Sequence, residues 1–132
     1  LGWLHATPKK SDKSRMEMYD EDDFRRRMPE VEAAYLLRPF FDSGMCSSNG
    51  MGVSAISWSE LRNYCELTGT ELSPWEAEQV MMMSRAYTAS LRRSDDPLMP
   101  PPFTAEETDD EIQARRAAVV EQMMALKRSR KK

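Results

Sequence analysis

Three short stretches decide how this chain folds: Ile56-Ser57-Trp58-Ser59-Glu60-Leu61, then Leu67-Thr68-Gly69, then Leu72-Ser73-Pro74-Trp75-Glu76. In the first, Ser57 and Glu60 have capping-box spacing, so the serine oxygen can accept from the third helical amide while the glutamate reaches back to the cap amide. A helix therefore starts at Ser57, with Ile56 placed to staple onto Leu61. Trp58, Leu61, Tyr64, Cys65 and Thr68 mark its less polar face, and Gly69 suits the left-handed turn that ends it. Four residues later Ser73 and Glu76 repeat the device, with Pro74 at the first helical position, where its missing amide hydrogen costs nothing. Val80, Met83, Tyr87 and Leu91, flanked by Met82 and Ala86, give this second helix an apolar stripe running to about Arg93. The short connection predicts that residues 57–93 form an αα-hairpin.

Upstream, residues 1–29 are dominated by charge, with Asp20-Glu21-Asp22-Asp23 meeting Arg25-Arg26-Arg27, a composition expected to stay flexible or only marginally helical. Residues 30–96 form the expected helical domain. Its first element is a short helix over Glu30–Phe41 carrying Val31, Ala34, Tyr35 and Leu37, in which Pro39 interferes. Asp42 to Ser54, with Gly44, Gly50 and Gly52 among Ser and Asn, reads as a loop. Val and Ile are sparse and no alternating run has strand length, so no strand is expected.

Downstream, Pro97-Leu98-Met99-Pro100-Pro101-Pro102-Phe103 cannot continue a helix and reads as a polyproline-like spacer over residues 97–103. A third capping box, Thr104 to Glu107, opens a charged C-terminal helix over 104–132, with Ile112, Val119, Met123 and Leu126 on one face. Five acids between Glu106 and Glu111 lie near its positive end and five cations between Lys127 and Lys132 near its negative end. The expected fold class is all-α: a small helical domain built around the αα-hairpin, with a mobile charged N-terminal segment and an appended C-terminal helix.

Composition narrows the function. The 132 residues carry 19 Lys and Arg against 22 Asp and Glu, a net charge of −3 that gives no general attraction to nucleic acid or anionic membranes. Apolar runs are far shorter than the ~20 residues that span a bilayer, and no secretory signal follows Leu1, so a cytosolic protein is expected. Cys46 and Cys65 are then free thiols. His5 is the single histidine, no Cys/His set has zinc spacing, and the acidic run lacks the glycine and spaced oxygens of a calcium loop. Gly50-Met51-Gly52 lacks the lysine of a phosphate cradle. No catalytic, cofactor or metal site is expected, and the protein is read as a non-enzyme.

Two features point to binding. Met81-Met82-Met83, within a total of 11 Met, places flexible side chains around more than one face of the long helix. They serve either core packing or an adaptable partner surface, for which Met81, Met82, Met83, Tyr87 and Trp75 are the candidates. The basic end from Lys127 complements the helix dipole or meets an acidic partner.

From about Met28 to Phe103 the chain resembles the short tail assembly chaperones of long-tailed phages. The likeness lies in Gly50-Met51-Gly52, the two Trp-bearing helix starts, Leu67-Thr68-Gly69, Ser84-Arg85-Ala86-Tyr87 and the proline run ending at Phe103. It implies a helical protein, in the host cytoplasm, that keeps the tape measure protein soluble and helps to recruit subunits of the major tail tube protein. In several such phages the downstream part is a frameshifted extension, which would fit a chain beginning at Leu1. The helix from Thr104 to Lys132 lies beyond the usual pattern. Two other readings remain: a DNA-binding regulator using residues 57–93 as a helix-turn-helix, which the acidic start Trp75-Glu76 and Glu78 disfavours, and a structural tail or connector component.

Overall fold

A computed structural model describes residues 1–50, 52–103 and 109–129. It is mostly helical, with α1 (Gly2–His5), α2 (Arg15–Met18), α3 (Leu37–Asp42), α4 (Trp58–Thr68), α5 (Pro74–Arg93) and α6 (Asp109–Ser129). Single turns of 3-10 helix occur at Phe24–Arg26 and Ala34–Leu36.

Both expected helix starts are present. Ser57 Oγ accepts from the Glu60 amide at 3.2 Å while Glu60 accepts from the Ser57 amide at 2.6 Å. At α5 the Ser73–Glu76 pair does the same at 3.4 and 2.7 Å. Gly69 ends α4 at φ 66°, a left-handed backbone that a Cβ would disfavour.

The twenty-residue α5 is the scaffold on which α1, α3, the 3-10 turn at Ala34–Leu36 and a small sheet pack. Its buried arc is Val80, Met81, Ser84, Tyr87 and Thr88. Val80, Met81 and Tyr87 join Phe40, Ile56 and Leu61 in the main core cluster. Through Leu61, α4 contributes to that cluster.

The sheet corrects the expectation of no strands. Within the stretch read as a loop, β1 (Ser47–Asn49) pairs antiparallel with β2 (Gly52–Ser54), and Gly52 takes φ 125° at the turn. Three-residue polar strands carry no alternating apolar pattern, because the backbone ladder alone makes them. The hairpin is tied to α5 by Arg92, which donates to the Val53 carbonyl at 2.7 Å.

Residues 30–41 also differ from expectation. The α-helical part begins only at Leu37, and Pro39 lies within its first turn, where no amide hydrogen is required. Leu36, Pro39 and Phe40 are buried, whereas Val31 and Tyr35 are exposed.

The charge-rich residues 1–29 are sewn to the far end of α5. Trp3, Leu4 and Ala6 are buried, and Arg15 is only 1% exposed. The Arg15 guanidinium donates to the carbonyls of Trp3 (3.2 Å), Ser94 (2.6 Å) and Asp96 (2.7 Å) and lies 4.6 Å from the Trp3 ring centroid. Carbonyls at the negative end of a helix stabilise a buried cation that lacks a carboxylate. Trp3 Nε1 donates to Met99 O at 2.8 Å, so the proline-rich segment runs beside α1. The Thr104–Glu107 capping box lies outside the described residues.

Candidate functional site

Where α4 meets the start of α5, the chain leaves an open, mainly apolar groove of about 780 Å³. Leu61 and Cys65 from α4 and Leu72 and Ala77 from the α5 side line it, with Trp58, Arg62 and Glu71 among the remaining walls. Both tryptophans stand in the first turn of their helices, where no preceding turn exists to cover them. Trp58 is 52% exposed and Trp75 56%. Two turns along α5, Met82 is 57% exposed, seven residues from Trp75 and so on the same helix face. Tyr35 lies beside the first turn of α5, hydrogen-bonded to Glu76.

Electrostatics around this surface are local. The Ser73 backbone and side chain, then Tyr35, hold the Glu76 carboxyl below its ordinary value, and Glu76 in turn raises the Tyr35 phenol. Glu60 is likewise held low, first by the Ser47 hydroxyl and then by Ser57. Burial pushes the Cys65 thiol up, away from the reactive thiolate. Among the described residues no group of His, Cys, Asp and Glu could hold a metal ion, and no helix is long and apolar enough to cross a membrane.

The five residues singled out from sequence divide. Trp75 and Met82 are exposed. Met83 is half-buried and lines a cavity of about 260 Å³ with Met28, Leu37, Phe40 and Tyr87 among others. Met81 and Tyr87 are core residues, and the Tyr87 hydroxyl pairs with His5 Nδ1 at 2.8 Å. Packing is their first role. Trp58 and Tyr35 escaped notice as surface groups because both fit an apolar helical pattern. The signal for Trp58 was its place directly after the cap.

No curated relative and no solved structure matches the chain. One family model does, that of the phage tail assembly chaperones, over residues 17–89, which runs from α2 through most of α5 and takes in the whole groove. Since that segment is more than half of the sequence, the chain belongs to the phage tail assembly chaperone family.

Proposed function

We propose that this chain binds the tape measure protein stoichiometrically in the cytoplasm of the bacterial host, shields its apolar helical stripes, and gives way to subunits of the tail tube. The observation that carries this reading is the exposed apolar surface made by Trp58, which lines an apolar groove, and by Trp75 and Met82, which share one face of α5, all inside the segment that matches the family. A long helix with uncovered apolar stripes aggregates, and aromatic and methionine side chains can repack against many non-identical turns of such a stripe. Tolerance of sequence suits a partner that presents many similar turns. The work is done by covering surface, with no bond made or broken.

Co-expression with the tape measure protein tests this. The expected result is a larger soluble fraction of that protein and a complex that co-elutes on a sizing column. Trp75→Ser combined with Met82→Gln should weaken capture at least tenfold while the circular dichroism helix signal is retained. A tape measure protein whose solubility is unchanged, with no complex eluting, would overturn the reading.

A further inference from the structure

We propose that Trp3 is the centre of a polyproline-recognition site, which residues 99–103 of this chain fill as a latch and which a proline-rich segment of a partner protein fills in their place. The run Met99-Pro100-Pro101-Pro102-Phe103 meets the body where Trp3 Nε1 donates to the Met99 carbonyl at 2.8 Å, a bond between residues 96 positions apart. Trp3 is buried, and its ring is held from other sides as well: Tyr19 stacks against it at 6.0 Å with 16° between the planes, and the Arg15 guanidinium lies 4.6 Å from its centroid. Both ends of the contact, Trp3 and Met99, lie outside the family-matched residues 17–89, so the site is an addition to what that match covers.

Chemistry at the contact selects the ligand. Three successive prolines lack amide hydrogens and hold φ near about −65°, so such a run makes no helix or sheet bonds of its own and leaves its carbonyls open to outside donors. An indole N–H aimed at one of those carbonyls, set among apolar surface, is the complement of that backbone, and the ordering cost is small because proline already restricts the free segment. Two cavities flank the seated run. One of about 190 Å³ lies between Leu4 and Met28 on the body and Pro101 and Phe103 on the run, and another of about 230 Å³ separates Met99 and Pro102 from Ser90 and Arg93. Trp3 lines both. The run is also shallowly seated, with Met99 37% and Phe103 40% exposed. One directed hydrogen bond with slack packing on either side suits a ligand that exchanges. Tethered to its own site, the run acts at an effective concentration on the order of millimolar, which a partner overcomes with longer or repeated proline segments. Displacement releases residues 97–103 and the chain that follows them from α1.

Nuclear magnetic resonance of the full chain tests this, because each indole N–H gives its own signal and Trp58 and Trp75 serve as internal references. The probe is a synthetic peptide of residues 97–103. It should move the Trp3 Nε1–H signal saturably and leave those of Trp58 and Trp75 in place. With Pro100→Gly, Pro101→Gly and Pro102→Gly made together in the chain, the peptide should bind about tenfold more tightly, since a latch closed about nine-tenths of the time masks that much affinity. The same peptide with glycine at every proline position should move nothing. A Trp3 signal unmoved in the triple variant at about 2 mM peptide, where even a millimolar affinity fills most of the site, would overturn the proposal. So would an equal response to the glycine peptide, a response at Trp58 or Trp75 instead, or the same affinity in both chains.

Discussion

Arg15 donates to the carbonyl of Ser94 at 2.6 Å, a bond that joins α2 to the residue capping α5 across 79 positions of sequence. With the Trp3 and Asp96 carbonyls also accepting, one buried guanidinium ties together α1, α2 and the chain just beyond α5. Arg15→Ala strands these acceptors and opens a void, and should lower unfolding free energy by about 3 kcal/mol in urea titrations. Arg15→Lys should rescue little of this, since a point charge cannot reproduce the planar fork.

Ser84 has the same kind of role inside the main core. Its hydroxyl accepts from the Ile56 amide at 2.9 Å and donates to the Met45 carbonyl at 2.7 Å, locking the residue before the α4 cap and the turn after α3 onto α5. Ser84→Ala should cost about 2 kcal/mol, because two backbone groups lose their partner and one of them, the Ile56 amide, is buried. Amide exchange at Ile56 should speed up with it.

Adjacent methionines should separate cleanly. Met81→Gln puts an amide into a site that is 3% exposed and should destabilise the fold by about 2 kcal/mol. Met82→Gln should stay within about 0.5 kcal/mol of the parent, since that side chain faces solvent. Chemical denaturation of the two single variants checks both.

Burial lowers the pKa of His5 below the ordinary imidazole value. As pH falls through about 6.5, the unfolded chain takes up its proton before the folded one. Stability from this residue is therefore complete above that range and declines with acidification toward the folded pKa. The urea midpoint should drop between pH 7.5 and 5.5, and His5→Gln should flatten the slope.

What the sequence discloses here depends on the range of the interaction. Ser57, Gly69, Ser73 and Pro74 act on atoms within about four residues, so the starts of α4 and α5 and the stop of α4 are legible from spacing alone. Met81 is different, because its burial depends on a core cluster shared with Phe40, Ile56 and Leu61, residues distant in sequence. The buried arc of α5 keeps Val80 and Tyr87 of the expected stripe and adds Met81, Ser84 and Thr88, while Met83 and Leu91 are only half-buried. Arg15 looked like one more member of a solvated charge run, and nothing local says that carbonyls from residues 94 and 96 await it. Of the candidate surface, Trp75 and Met82 were legible as apolar residues with helical spacing. Trp58 and Tyr35 became surface groups only once their neighbours were known.

The stitching of α1 and α2 to residues 94–99 also sets a timetable for synthesis. Trp3 and Leu4 are made well before the atoms that receive Trp3 Nε1 and Arg15, which are translated roughly 80 to 100 residues later. At bacterial elongation speeds this delay is on the order of 10 s. During that interval the nascent chain holds an indole and an isobutyl group in water, so a member of a chaperone family is itself in need of shielding while it is made.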